Sequence, residues 1–273
     1  MKTALESRVV RWLIVCLVAF LAACFAIFSL NLLTPPRPLT ALLPTRTATR
    51  RPPPTITPVV YPPTPNLVTA EDFSTPEAFP NARGVNLGYA YADEAYLLTP
   101  PLDPGFVRVL NQSFTASDYR NLTLDVTAAP AKNSAPVEYG VMFWHTEDDQ
   151  GREHFLAFTI NTKGTFRLLA YEPVENQDAP NAYQFTEVVP ATQTQTIHLD
   201  GSPNKIRVDV HPRRLLAYIN DELVLDTDAK IINDWRLRRD WDGRVGLVAF
   251  AMNVPDAQAR FTQFDIYADV KQP

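Results

Sequence analysis

Residues 204–226, NKIRVDVHPRRLLAYINDELVLD, constrain the fold more than any other stretch of the chain. Ile206, Val208 and Val210 alternate with Arg207 and Asp209, the period-two pattern of a strand with one buried face. Pro212 has no N–H to give to a ladder, so that strand must stop. Leu215, Ala217 and Ile219 alternate again. Asn220-Asp221 then supplies a two-residue turn built from residues that tolerate positive φ, and the pattern predicts Leu223 and Leu225 returning on one face. Two consecutive hairpins are the expectation.

The same pattern, with aromatic and β-branched enrichment, begins near residue 66. It predicts strands over 89–91, 95–99, 106–114, 121–128, 138–145, 154–161, 165–171, 185–189, 205–211, 215–219, 222–226, 244–251 and 261–270. Asp149-Gln150-Gly151, Lys163-Gly164, Asp200-Gly201-Ser202-Pro203 and Asp242-Gly243 punctuate them as turns. Only 229–239 has room for a turn or two of helix. Many short strands at this spacing predict an all-β fold, an antiparallel two-sheet jelly-roll sandwich.

What precedes residue 66 is different in kind. Residues 1–11 form a short basic leader, expected on the cytoplasmic side. Residues 12–33, WLIVCLVAFLAACFAIFSLNLL, carry no charge over 22 positions, enough to span roughly 30 Å of hydrocarbon as a transmembrane helix. Leu21-Ala22-Ala23-Cys24 offers an alternative, since it resembles a bacterial lipobox in which Cys24 is lipidated after cleavage; yet 25–33 stay apolar where a lipoprotein turns polar. Either device holds the protein at a membrane. Residues 34–65 contain 11 prolines in 32 positions with threonines between them, a composition that buries no core and favours polyproline II. At about 3.1 Å per residue this disordered tether could reach on the order of 100 Å. The secretory character of the leader and the stalk together predict an extracytoplasmic C-terminal domain, residues 66–273, on a single-pass signal anchor.

Charge narrows the partners. Of the 25 Lys and Arg, seven lie in 1–65, leaving 18; of the 30 acids only Glu6 does, leaving 29, so 66–273 carry a net charge of −11. A nucleic-acid binder would show a basic surface instead, and none is expected. Both cysteines, Cys16 and Cys24, fall in the apolar stretch, which removes disulfides, thiol nucleophiles and cysteine-bound zinc from the domain.

Several short motifs then converge on one resemblance. Glu71-Asp72-Phe73-Ser74 with Phe79, Tyr139-Gly140-Val141-Met142-Phe143, Tyr218-Ile219-Asn220, Gly243-Arg244-Val245-Gly246-Leu247 and the closing Phe261, Phe264 and Ile266 resemble the concanavalin A-like lectin/glucanase superfamily. Within it, 66–273 are similar to laminin-G-like modules and to the bacterial 3-keto-disaccharide hydrolase domain. The resemblance implies two packed antiparallel sheets, often with sugar at a concave face or loop rim, and calcium in many relatives. It does not by itself fix a function.

Candidate chemistry is sparse. Glycosidases of the superfamily place two carboxylates on one strand facing a cleft; the nearest match, 147–153, reads instead as a solvated hairpin tip around Gly151. Glu147, Asp148 and Asp149 are calcium candidates by ligand type, although three adjacent acids do not converge on one ion unaided. His145, His154, His198 and His211 are scattered and read as surface or strand-end residues. The most suggestive cluster is 233–241, where Trp235 and Trp241 stand with Arg236, Arg238 and Arg239; indole faces and guanidinium forks suit sugars or acidic glycans, and equally suit an edge seal with paired arginines. Tyr89, Tyr91 and Tyr96 make a similar, weaker case. The favoured expectation is a membrane-anchored, non-catalytic module binding carbohydrate or another cell-surface ligand. The alternatives are a glycoside hydrolase and a structural or protein-interaction module.

Overall fold

The computed structural model describes residues 66–75, 78–80, 88–102, 105–115, 119–149, 151–173, 183–211, 214–227 and 243–270. The basic leader, the 12–33 apolar segment with Cys24, the 34–65 tether and the 229–239 turn lie outside the described residues. No helix among the described residues is long and apolar enough to cross a membrane.

The described residues form fourteen strands: β1 (Asn66–Glu71), β2 (Tyr89–Tyr91), β3 (Tyr96–Leu98), β4 (Phe106–Leu110), β5 (Tyr119–Pro130), β6 (Val137–Glu147), β7 (Glu153–Asn161), β8 (Thr165–Pro173), β9 (Tyr183–Gln193), β10 (Asn204–His211), β11 (Arg214–Ile219), β12 (Glu222–Thr227), β13 (Arg244–Ala251) and β14 (Ala259–Val270). They form two antiparallel sheets. One runs β12-β11-β10-β5-β14-β3-β2, with β1 sharing the far side of β14; the other runs β4-β13-β6-β7-β8-β9. The all-β architecture of two antiparallel sheets expected from the sequence is the one found.

The 204–226 stretch folds as its pattern demands. Ile206, Val208 and Val210 are fully buried, pairing with β11 on one side and β5 on the other. Asn220 and Asp221 both take positive φ, 51° and 67°, closing the β11–β12 hairpin. One detail departs. The register slips between Ala217 and Tyr218, so the alternation of β12 breaks and Leu223 is exposed, while Val224 and Leu225 pack on the core. β1 escaped the alternation rule altogether, because it is largely exposed and held by pairing to β14. Only its last residue is buried: the Glu71 carboxylate accepts the Phe73 N–H at 2.8 Å and the Ala78 N–H at 3.3 Å, pinning the loop that delivers Phe73 and Phe79 to the core.

The core lies between the sheets. Leu124, Val126, Val208, Phe264 and Ile266 face Val141, Phe158, Ile160, Leu247 and Ala249, all fully buried. Each such large side chain stabilises by about 1.5–3 kcal/mol relative to exposure. The outer faces differ from each other. That of the eight-stranded sheet is polar: Lys205 Nζ lies 3.2 Å from Asp125, Arg207 Nε donates to Asp209 at 2.9 Å and Thr123 Oγ1 donates to the same carboxylate at 2.7 Å. That of the six-stranded sheet carries a second apolar layer of Met142, Phe155, Leu169, Tyr171, Val248 and Phe250, with Phe106 and Phe185 beside it. Phe155 stacks on Tyr171 with ring centres 4.6 Å apart, and Phe185 meets Phe106 edge-on at 5.0 Å. This is why β6 reads as a near-continuous apolar run: both its faces are covered.

Candidate functional site

One irregularity in β6 builds the site. Its pairing with β13 steps from Met142↔Gly246 to His145↔Arg244, and with β7 from Phe143↔Leu156 to Thr146↔His154. Trp144 sits in this bulge at φ 56°, a region that bulky residues avoid, at a cost of order 1–3 kcal/mol. Phe143 and Trp144, adjacent in sequence, both belong to the inter-sheet core. The alternation is thereby reset. His145 and Glu147 emerge on the outer face instead of the core, on the side where Glu153 and Phe155 stand; the His145 ring lies 6.2 Å from that of Phe155. Gly243 permits it: a Cβ there would stand 2.5 Å from Trp144 Cα, so only glycine lets the start of β13 approach the bulge.

The result is a charged cluster at one end of the aromatic layer. His145 is 1% exposed, and neither ring nitrogen makes a hydrogen bond; Nε2 is 3.5 Å from Glu153 Oε1. Arg108 Nη2 donates to Glu153 Oε2, and Arg244 Nη2 donates to Glu147 Oε1 at 2.8 Å. Burial, reinforced by the Arg244 and Arg108 guanidiniums and opposed by Glu147, holds the His145 pKa down to about 4, so the ring is neutral at physiological pH. At the opposite end of the face, Arg167 donates to Glu138 through Nε at 2.6 Å and Nη2 at 2.8 Å, and Thr159 donates to the same carboxylate.

Beside the first cluster opens a pocket of about 420 Å³, whose walls include Tyr89, Arg108, Asn111, Gln112, Glu153 and Arg244. Asn111, fully buried, accepts the Ser113 N–H at 2.9 Å with Oδ1, and its amide NH₂ has no partner. The pocket thus joins an aromatic ring to donors and acceptors of both charges.

The structure treats the residues singled out in the sequence unequally. Tyr89 lines the pocket. Tyr91 turns to the core, accepting the Phe79 N–H at 3.1 Å and meeting Tyr96 edge-on at 4.7 Å. Glu147, Asp148 and Asp149 are not brought together. Asp148 closes the hairpin tip, accepting Arg152 N–H at 2.9 Å and Arg152 Nε at 2.6 Å, and Asp149 is exposed. Glu147 instead faces Glu153 across the hairpin, with His145 beside them: one donor atom of each lies within 4.8 Å of the other two. The expectation that His145 is a surface or strand-end residue is therefore corrected, because the bulge carries it into a buried cluster. Trp235, Arg236, Arg238, Arg239 and Trp241 lie outside the described residues. Sequence reasoning missed Arg108, Asn111 and Arg244 as site residues and set aside His145 as a strand-end residue and Glu153 as part of a solvated tip; the available signal was the pair of large aromatics Phe143-Trp144 running into a histidine.

No protein-family model matches the chain, and no curated protein matches it. Solved structures do. The carbohydrate binding module CBM66 from Bacillus subtilis is similar at 16% identity and TM-score 0.46, over 67% of this chain and 92% of its own. The endo-β-1,3-glucanase from Pyrococcus furiosus is similar at 8% identity and TM-score 0.48, over 76% and 95%. The Bacillus licheniformis β-glucanase is similar at 11% identity and TM-score 0.46, over 75% and 99%. No family and no residue role is carried across from them to this chain.

Gly243→Ala tests the bulge. The added methyl must displace Trp144 backbone, so the variant should lose about 1–3 kcal/mol in denaturant unfolding. An unchanged midpoint would show that β13 does not approach Trp144 as described.

Proposed function

We propose that residues 66–273 form a non-catalytic carbohydrate-binding module held outside a membrane by the 12–33 segment and the 34–65 tether. The observation that carries this reading is the pocket at Tyr89, Arg108 and Arg244. A sugar presents hydroxyls around its rim and C–H bonds on its faces, and is matched by forked donors, carboxylate acceptors and an aromatic ring in one concavity. Here the guanidiniums, the Glu153 carboxylate and the Gln112 amide are the polar partners, with Tyr89 as the ring. The 233–241 segment, with Trp235, Trp241 and three arginines, is by its composition a further candidate for glycan contact. Both carboxylates of the cluster face guanidiniums, an arrangement suited to holding rather than cleaving.

The hydrolase reading has one observation in its favour. Glu147 and Glu153 bring carboxylate oxygens within 4.8 Å, close to the roughly 5–5.5 Å separation of retaining glycosidases. A glycan array followed by a reducing-sugar assay separates the two. The full-length chain in detergent should bind a defined glycan set and release no product. Arg244→Ala should weaken binding by about tenfold or more with little change in melting temperature, since this side chain is half exposed. Product release that vanishes in Glu153→Gln would establish the hydrolase instead, and no glycan binding at all would favour an interaction module.

The anchoring is tested separately. Protease added to intact cells should release the domain by cutting within 34–65. Digestion only after lysis would reverse the orientation, and palmitate labelling at Cys24 would replace the spanning helix with a lipid anchor.

A further inference from the structure

Two features of the bulge cluster are left over after the pocket is described. The first is the imidazole of His145, wholly buried, with both nitrogens lacking a hydrogen bond. Buried polar groups are almost always paired, so an orphan of this kind points to a missing partner. The second is that Glu147 and Glu153 stand directly opposite each other on β6 and β7, a like-charge cross-strand pair that is unfavourable unless positive charge attends it. Arg108 and Arg244 supply part of that charge, Arg108 at Glu153 Oε2 and Arg244 at Glu147 Oε1. Glu153 Oε1 faces His145 Nε2 at 3.5 Å.

We infer that His145, Glu147 and Glu153 form a binding site for a divalent transition metal of the zinc type. The donor set is one imidazole nitrogen and two carboxylate oxygens, which zinc accepts and which suits calcium poorly, because calcium takes oxygen ligands almost alone. The spacing is close to what the ion needs. Tetrahedral bonds of about 2.0–2.2 Å put neighbouring donors roughly 3.3–3.5 Å apart. The His145–Glu153 pair already meets that distance, and Glu147, with its side chain 46% exposed, has freedom to close the remaining gap within the 4.8 Å group. Arg108 and Arg244 then act as outer hydrogen-bond donors that fix the two ligating carboxylates, the usual arrangement around bound metals. Three protein donors would leave a fourth position for water or a ligand hydroxyl, and Glu153 also lines the pocket. The proposal places an imidazole at the centre of the site, in contrast to the run Glu147, Asp148 and Asp149 considered for calcium. It adjoins the glycan pocket but does not depend on it.

The test is zinc titration of the full-length chain in detergent after chelator treatment, by calorimetry and by melting temperature, without sugar. One Zn²⁺ per chain should bind and raise the melting temperature, with Ca²⁺ producing neither effect. Glu153→Gln and Glu147→Gln should each lower zinc affinity by at least about tenfold, in line with the cost of disturbing metal-site partners. Glu222→Gln, an exposed acid on β12, should leave it unchanged. His145→Phe should abolish binding; because a core change can also unfold the protein, the exposed Glu147 variant, with its metal-free melting temperature measured, carries the decision. Absence of stoichiometric zinc, or uptake unaffected by both glutamate variants, would overturn the site. Zinc uptake without glycan binding would leave this inference standing and overturn only the glycan reading.

Discussion

The structure depends on desolvating one apolar layer between two antiparallel sheets. Leu124, Val126, Val208, Phe264 and Ile266 on one side and Val141, Phe158 and Leu247 on the other lose contact with water together. This non-directional force sets which face of each strand turns inward, and a one-residue slip would turn every such side chain outward. It therefore fixes β5, β10 and β14 against β6, β7 and β13 far more tightly than the exposed ion pairs do, since surface pairs contribute about 0–1 kcal/mol each. Arg214–Asp226 is a pair of that weaker sort, with both side chains nearly half exposed.

Against that rule, β6 makes one exception. Placing Trp144 at positive φ costs backbone energy, and the burial of a large indole in the core offsets it. The register shift converts an inward histidine into an outward one, still buried but now among Glu147, Glu153, Arg108 and Arg244. Strain and a charged cluster coincide at this end of the sheet, on the face that also bears the aromatic layer. The outer face of the other sheet carries charges in pairs, such as Arg207 with Asp209, and among the described residues no comparable apolar layer covers it. The proposed glycan pocket draws Arg108, Glu153 and Arg244 from the six-stranded sheet and Tyr89 from β2 of the other.

Much of the fold was legible in the sequence because alternation is a local signal. Ile206, Val208 and Val210 announce their faces unaided, and Asn220-Asp221 announces its turn. The failures have physical causes. β1 has almost no buried residue to reveal it, and it forms because the edge of β14 offers unpaired backbone groups. Leu223 looked inward because a bulge cannot be read from hydrophobicity. The site was the least legible. Arg108, His145, Glu153 and Arg244 come from four strands that only the tertiary fold brings together, and the phase of His145 depends on a bulge that a strict two-residue period excludes. Glu147 and Glu153 were read as parts of a solvated tip, and Glu147 beside Asp148 and Asp149 as a calcium candidate, because sequence order does not show the two glutamates facing each other across the hairpin.

The central claim is that the bulge delivers a buried, unpaired imidazole to this face. Nitrogen-15 NMR of the histidine rings across a pH titration tests it directly. One ring, assigned by its loss in His145→Phe, should stay neutral until about pH 4. Because the unfolded ring has a pKa of about 6.5, the unfolded chain takes up a proton that the folded one refuses. Stability should accordingly fall as the pH drops from about 6.5 toward 4, and less so in the variant. A His145 ring that titrates at the ordinary histidine value would contradict the account, placing the imidazole in solvent and dissolving the cluster on which the site is built.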